Sequence, residues 1–130
     1  MYPFRDKLKN LFLSNNHISK IPDSIIHLSN LDQLSLDNNN LTKLPEKIGE
    51  LSNIGSLYIN NNNLSELPDS FANLKRLGGL DLSNNSLKEF PEVLYKLDLY
   101  SLIIHSNSFT NFPKVIGRMK LVANGEYQYK

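Results

Sequence analysis

A pattern of about 23 residues occurs five times in this chain of 130 residues. Its second copy, residues 31–53, reads LDQLSLDNNNLTKLPEKIGELSN. The copies begin at apolar residues separated by steps of 23, 23, 23 and 22 residues: Leu8, Leu31, Ile54, Leu77 and Leu99. A repeat of this length indicates a solenoid, in which each copy forms one coil and neighbouring coils share a continuous core.

Apolar residues occupy positions 1, 4, 6, 11, 14, 18 and 21 of each copy. Neither a helix nor a strand alone has this spacing, so the chain must change direction within each coil and return these residues to one interior. Positions 4 and 6 alternate with polar neighbours, as Leu57 and Ile59 do in the third copy. This alternation predicts a short strand in every coil.

Position 9 is asparagine in all five copies. The chain has to leave the strand there, and an amide side chain can donate to and accept from the backbone groups that the turn leaves inside the coil. Stacked coils therefore predict a structural ladder of asparagines. Its members are Asn16, Asn39, Asn62, Asn85 and Asn107.

Position 15 is proline in every copy, and an acidic residue follows it in the first four. Proline at the first helical residue costs no hydrogen bond, and the acidic residue then faces the positive end of the helix dipole. The pattern predicts a short helical turn on the convex side of each coil. The prolines are Pro22, Pro45, Pro68, Pro91 and Pro113.

The pattern LxxLxLxxNxLxxLPxxIxxLxx, over residues 8–121, resembles the 23-residue class of leucine-rich repeats found in Ras-binding scaffold proteins and in many bacterial repeat proteins. The resemblance implies an α/β fold, a right-handed, curved leucine-rich repeat solenoid. Parallel strands would line its concave face, and short helical or 3-10 turns its convex side. It also implies protein–protein interaction without catalysis. We divide the chain into an N-terminal edge segment (1–7), repeats 8–30, 31–53, 54–76, 77–98 and 99–121, and a C-terminal hairpin strand or tail (122–130).

The fourth repeat is one residue short, because Asp98 alone replaces the residue pair that ends the earlier repeats. We place the deletion there because the fifth repeat matches the pattern only after it, and we expect a tighter convex turn at this point. A one-residue slip would exchange the two faces of a strand. This register predicts Leu102 and Ile104 in the core, with Ile103 and His105 outside.

The two ends of the array need cover, since a terminal coil exposes its apolar edge. Tyr2 and Phe4 are candidates at the N-terminal end. At the other end, Asn124-Gly125 indicates a hairpin, because a type I′ turn needs positive φ at both central residues. We predict a hairpin cap from Lys120 to Tyr129 beside the fifth strand, with a frayed tail or pairing with another molecule as alternatives. The residues expected to shield the core edge are Val122, Tyr127 and Tyr129.

Composition argues against several classes of protein. There is no cysteine, so a thiol nucleophile and disulfide-bonded caps are absent, which favours a reducing compartment or a bacterial origin. No secretory signal or membrane span is visible, so we expect a cytoplasmic protein, with a secreted bacterial protein as the alternative. The net charge is only +1, whereas a nucleic-acid partner calls for a large basic patch with exposed aromatic residues.

Outward-facing strand residues, at positions 3, 5 and 7, form the usual ligand surface in the family that this chain resembles. Most of them are small and polar here. An exposed aromatic side chain on a rigid sheet is a plausible anchor, because aromatic residues dominate interface hot spots. The alternative is that Phe12 and Tyr58 only pack across the sheet, or that Phe12 contacts Tyr2 or Phe4. The predicted partner-binding residues are Phe12, Asp37, Tyr58, Asn60, Asp81, Ile103 and His105.

The predicted binding strip is small. Five strands about 4.8 Å apart give a width of about 19 Å, and a standard interface uses roughly 20–30 residues a side. The partner therefore also contacts adjacent loops, or binds with modest affinity, or the chain belongs to a larger assembly. We expect a non-catalytic module that binds a protein or peptide partner, as a monomer or a weak edge-mediated homodimer. The alternative is a structural or adhesive element that self-associates through its solenoid edges.

A catalytic or metal site is not expected. Asp37 and Asp81 lie two strands apart, about 9.6 Å at the backbone, which is too far to share a proton. His17, His27 and His105 occupy different faces of the coil and cannot converge on one metal ion. We therefore predict no catalytic residue, no metal and no cofactor.

Overall fold

The computed structural model describes residues 6–122 and 125–129, and its first five strands come one from each repeat. They are β1 (Asn10–Phe12), β2 (Gln33–Ser35), β3 (Ser56–Tyr58), β4 (Gly79–Asp81) and β5 (Ser101–Ile103). Each strand pairs in parallel with the next, and equal repeat positions are partners, as Leu34 and Leu57 are. The expected solenoid with parallel strands is confirmed. The suggested cover by Tyr2 and Phe4 lies outside the described residues.

The core is a stack of the apolar repeat positions. In the third repeat Ile54, Leu57, Ile59 and Leu64 are all at most 2% exposed. Burying a side chain of this kind stabilises the fold by about 1.5–3 kcal/mol. The first repeat is less completely covered, because Leu8, Leu11, Leu13 and Ile18 are only partly buried.

The register chosen for the fifth repeat is confirmed. Leu102 and Ile104 are fully buried, while Ile103 and His105 are partly exposed. The shortened connection before this strand differs from the expected tighter turn. The equivalent residue in the first three repeats has ψ near 65°, but Leu97 is extended at ψ 157°. An extended residue spans more distance, so the chain compensates for the missing residue by straightening.

The asparagines at position 9 form hydrogen bonds between coils. Asn62 Oδ1 accepts from the Leu41 amide at 2.9 Å, and its Nδ2 donates to the carbonyls of Leu36 at 3.0 Å and Ile59 at 3.2 Å. Equivalent bonds link Asn39, Asn85 and Asn107 to the preceding coil. Asn16, in the first coil, is exposed, and its side chain donates to the nearby Ser14 carbonyl at 3.0 Å, while its backbone N–H donates to Asn39 Oδ1 at 3.0 Å.

The residue before each of these asparagines has a left-handed backbone, with φ between 55° and 61°. Asparagine tolerates this conformation better than most residues with a β-carbon. The first four repeats have asparagine there, and the fifth has Ser106. The five residues are Asn15, Asn38, Asn61, Asn84 and Ser106.

The convex side carries 3-10 turns in the first four repeats: Asp23–His27, Ile48–Glu50, Asp69–Asn73 and Glu92–Lys96. Pro22, Pro68 and Pro91 stand one residue before their turns in an extended conformation, so proline is the cap and the acidic residue begins the turn. The prediction of a helical turn is wrong for the fifth repeat, where strand β6 (Val115–Ile116) takes its place. Two β-branched residues followed by Gly117, at φ 58°, favour a strand and a tight reversal there.

The C-terminal hairpin is formed by β7 (Met119–Val122) and β8 (Glu126–Tyr129). Strand β8 pairs antiparallel with β5, so the described residues form one sheet in the order β1-β2-β3-β4-β5-β8-β7-β6. The predicted hairpin cap beside the fifth strand is confirmed. Gly125 has φ 75°, whereas Asn124, and with it the proposed turn type, lies outside the described residues.

One part of the predicted cap is wrong. Tyr127 is fully buried opposite Leu102, but Val122 pairs with Glu126 and so lies on the opposite face of the hairpin. Side chains alternate along a strand, so Met119 and Leu121 join Tyr127 against the core in place of Val122. The Tyr129 side chain lies outside the described part of the structure.

Aromatic residues pack around the junction between the last repeats and the hairpin. The Phe90 ring lies 5.4 Å from Tyr95, 6.0 Å from Phe109 and 6.1 Å from Tyr127 between centroids. Tyr127 donates its hydroxyl hydrogen to the Pro113 carbonyl. Burial, together with the nearby Tyr95 phenol, raises the pKa of Tyr127 to about 12. These contacts attach the hairpin to the end of the solenoid.

Candidate functional site: the concave face

The concave face is formed by strand residues that alternate with the core. On β2, Leu34 and the following Leu36 are fully buried, whereas Gln33 and Asp37 project to the other side and are partly exposed. Because neighbouring strands share one register, outward positions from successive repeats form rows across the sheet. The rigid backbone of the solenoid fixes the spacing of these rows.

The two predicted aromatic anchors lie on this face. Phe12 is 62% exposed and Tyr58 is 37% exposed. Ser35 separates them in the same row, and it is small and 93% buried. Neither ring therefore has an aromatic partner in the adjacent strand, and cross-strand packing does not cover them.

The two predicted carboxylates are held by short hydrogen bonds. Asp37 accepts from the Ser14 hydroxyl at 2.6 Å and from the Asn38 amide at 3.0 Å. Asp81 accepts from the Ser83 hydroxyl at 2.7 Å and from the Ser83 backbone N–H at 3.0 Å. These hydrogen bonds hold both side chains in position, and Asp81 is the register partner of Tyr58.

The remaining predicted residues lie on the same face and are partly exposed. Asn60 belongs to the third repeat, and Ile103 and His105 to the fifth. The His105 ring nitrogen Nδ1 lies 3.0 Å from the Ser106 hydroxyl. Gly125 packs against the His105 backbone, where a β-carbon would lie within 3.3 Å, so the hairpin loop closes this corner of the face.

The hairpin enlarges the face beyond the five strands expected. Residues opposite each other on paired strands share a side of the sheet. Glu126 is the partner of Ile103 and Gln128 of Ser101, so both lie on the concave side. Val122 and Lys120 follow on β7. With eight strands about 4.8 Å apart the face is about 34 Å wide.

Tyr100 is a surface residue that the repeat pattern did not single out. It is 55% exposed, and its ring lies over Gly78, where a β-carbon would come within 2.3 Å of the ring edge. Its hydroxyl lies near Gly79, beside the outward-facing Ser56. The pair Gly78-Gly79 was the feature of the sequence that could have indicated this contact, since glycines at these positions leave room for an aromatic ring from the next coil.

Two kinds of feature are missing from the part of the chain that the structure describes. Within residues 6–122 and 125–129, no group of three or more histidine, cysteine, aspartate or glutamate side chains could hold a metal ion. Over the same residues, no helix is long and apolar enough to cross a membrane. The concave face combines exposed aromatic rings with fixed carboxylates, which is suited to recognition of another molecule.

Comparison with known proteins agrees with this architecture. Two family models, both described as leucine-rich repeats, match residues 6–64 and 76–97. A solved leucine-rich repeat protein from Leptospira interrogans is 35% identical and superposes with a TM-score of 0.76. The match covers 84% of this chain and 28% of that protein, so the chain spans less than a third of the length of its relative. A search of curated proteins gave no match. The repeats, the fold and the family models together show that this chain belongs to the leucine-rich repeat family.

Proposed function

We propose that this chain is a non-catalytic module that binds a protein or peptide partner through its concave face and the adjacent loops. Leucine-rich repeat domains are generally protein-interaction modules. The proposed contact residues are those predicted from the sequence: Phe12, Asp37, Tyr58, Asn60, Asp81, Ile103 and His105.

The observation that carries this proposal is the pairing of Tyr58 with Asp81. An aromatic ring that is 37% exposed stands beside a carboxylate held by two hydrogen bonds, in adjacent strands of one sheet. The Asp81 side chain loses little entropy on binding, since two hydrogen bonds already hold it. Aromatic side chains near the centre of an interface are the usual hot spots.

The wider sheet also reduces the shortfall in the size of the surface. Five strands alone would provide about 15 outward-facing residues, fewer than a standard interface needs. The hairpin adds Glu126, Gln128, Lys120 and Val122 to the same face. The total of about 19 approaches the roughly 20–30 residues a side of a standard interface, and the adjacent loops would supply the remainder.

Affinity capture from the source organism tests the proposal. The bait is the wild-type chain, compared with the double variant Tyr58→Ala/Asp81→Ala. The control is Lys47→Ala/Glu50→Ala, which removes two exposed charged side chains from the convex side of the second repeat. We expect the concave variant to lose a partner that the control retains. Equal retention of every partner by all three baits contradicts the proposal.

The alternative, a structural element that self-associates, has one feature in its favour. Strand β6 is the last strand in the sheet order of the described residues, and its Val115 is 50% exposed. This strand has only two residues, which limits the backbone hydrogen bonds available to a second copy. Light scattering at two concentrations distinguishes the functions, because an assembly element grows with concentration and a receptor keeps the mass of a monomer.

A further inference from the structure

One row of side chains crosses seven strands of the concave face, and we call it the central row. It follows repeat position 5 through β1 to β5 and continues through the register partners on β8 and β7. In order across the sheet it consists of Phe12, Ser35, Tyr58, Asp81, Ile103, Glu126 and Val122.

The central row alternates in chemistry. Large apolar or aromatic side chains stand on every second strand, and serine, aspartate and glutamate stand between them. Phe12 and Tyr58 are exposed, and Ile103 and Val122 are partly exposed, so all four are accessible. A ligand lying along the row meets an apolar contact at every second strand.

The repeat distance along the row limits the shape of that ligand. Two strand spacings amount to about 9.6 Å at the backbone. Side chains converge toward the concave side of a curved sheet, so the distance between their ends is no larger than this. The ligand must therefore present equivalent side chains at intervals of 9.6 Å or slightly less.

A polyproline II helix meets this condition. It has three residues per turn and a rise of about 3.1 Å, so every third residue faces the same way at intervals of about 9.3 Å. On one face of an α-helix, residues recur after three, four and seven positions, about 4.5, 6.0 and 10.5 Å, and none of these distances equals 9.6 Å or slightly less. An extended strand alternates its faces, so residues three apart point in opposite directions.

The polar members of the row set the charge of the ligand. The Asp81 side chain is held in position by two hydrogen bonds from Ser83, and Glu126 is partly exposed next to Ile103. The central row contains no lysine or arginine. A basic side chain placed between the apolar contacts can therefore pair with these carboxylates, and an acidic one is repelled.

We propose that the central row recognises a basic segment in the polyproline II conformation, with one apolar residue or proline in every turn packed against Phe12, Tyr58 and Ile103. This rests on the proposed function, because it names the class of peptide bound by the same face. Proline-rich segments suit aromatic surfaces because their conformation is largely formed before binding.

Fluorescence anisotropy with labelled peptides tests the proposal. The probe is (Pro-Pro-Arg)4, whose twelve residues extend about 37 Å and cover the row. The controls are (Pro-Pro-Glu)4 and a helical alanine–arginine peptide of equal length and charge. We expect the first peptide to bind at least tenfold more tightly than either control. Comparable affinity for the helical peptide, or for the acidic one, overturns the proposal.

Variants locate the binding on the central row. Tyr58→Ala is expected to weaken binding of (Pro-Pro-Arg)4 at least tenfold. Asp81→Asn with Glu126→Gln is expected to weaken it about fivefold and to reduce its dependence on salt. Lys47→Ala with Glu50→Ala, on the convex side of the second repeat, is the control and leaves the affinity unchanged. Wild-type affinity in both concave variants, with folding verified by circular dichroism, overturns the proposal.

The two proposals fail in different ways. If (Pro-Pro-Arg)4 does not bind but the concave double variant still loses its captured partner, the ligand class is wrong and the proposed function stands. If the capture is also unchanged, the concave face is not the binding surface and both proposals are wrong.

Discussion

Asn62→Ala is the substitution that tests most sharply how the coils are held together. Asn62 is 7% exposed in the central repeat and connects two coils through its amide. Its Oδ1 is the acceptor of the Leu41 backbone N–H, for which the structure gives no second acceptor. The carbonyls of Leu36 and Ile59 also receive the amides of Asn39 and Asn85, so they keep one partner each after the change.

The magnitude follows from these contacts. A buried donor left without a partner costs about 1–3 kcal/mol, and each of the two lost bonds to shared carbonyls costs about 0.5–1.5 kcal/mol. These terms together amount to about 2–6 kcal/mol, so we expect Asn62→Ala to lower the free energy of unfolding by roughly 4 kcal/mol. Asn16→Ala is the matched control, because Asn16 is exposed and, among the described residues, its side chain makes one hydrogen bond, to the Ser14 carbonyl. The control is expected to cost about 1 kcal/mol or less.

Urea denaturation of both variants provides the comparison, and amide hydrogen exchange provides a local one. The Leu41 amide is expected to lose protection in Asn62→Ala and to keep it in Asn16→Ala. If the two variants lose equal stability, or if the Leu41 amide stays protected in Asn62→Ala, the coils are not held together by their asparagines as described.

Three other substitutions test separate parts of the structure. Ser106→Asn introduces, at a left-handed φ of 58°, the residue type that the other four repeats have there. Because asparagine tolerates this conformation better than serine, we expect urea denaturation to show about 0.5–1 kcal/mol of added stability. No gain in stability means that the turn is not strained. Tyr127→Phe removes a phenol whose pKa is raised to about 12, so its neutral form is favoured in the folded state. The free energy of unfolding of the wild type therefore includes a contribution from the neutral phenol that is fully present below pH 10 and falls by about 2 kcal/mol between pH 10 and 12. We expect the decrease in stability over this pH range to be smaller in Tyr127→Phe than in the wild type. Gly49→Ala puts a methyl group 1.9 Å from the Ser70 carbonyl oxygen, so the coils must separate, and a loss of at least 2 kcal/mol by thermal melting is expected; an unchanged melting temperature contradicts this packing.

The shared residues of the repeats made the scaffold predictable. An apolar residue that recurs every 23 positions has to point inward in every coil, so the strands and their register could be derived from alternation alone. The same argument located the missing residue at Asp98 and placed Leu102 and Ile104 in the core correctly. The periodicity thus determines the placement of those residues that all five coils share.

The departures from the repeat were harder to predict, because each depends on contacts between different coils. Val122 was assigned to the core side, but pairing of the hairpin with β5 put Leu121 there. The fifth proline suggested another helical turn, but the following residues form β6. In both places the chain forms strand pairs of the C-terminal cap in place of the structure that the repeat pattern predicts. The repeat pattern alone contains no information about these strand pairs.

The candidate site was predicted in part. Alternation put Phe12, Tyr58 and Asp81 on the concave side, where the structure has them exposed or partly exposed. The sequence could not show that Ser83 fixes Asp81, or that Tyr100 lies over Gly78, because these contacts depend on side-chain geometry. The contribution of β8 and β7 to the face depends on how the hairpin docks, which repeat spacing does not determine.

Site-specific photocrosslinking is the most direct test of the central claim that the concave face is the binding surface. A photoreactive phenylalanine derivative is placed at Tyr58 in one sample and at Tyr95, on the convex side, in another. Both positions carry a partly exposed aromatic ring, so the substitutions are matched in size and accessibility. We expect the captured partner to crosslink to position 58 and not to position 95. Crosslinking at position 95 without crosslinking at position 58 contradicts the account.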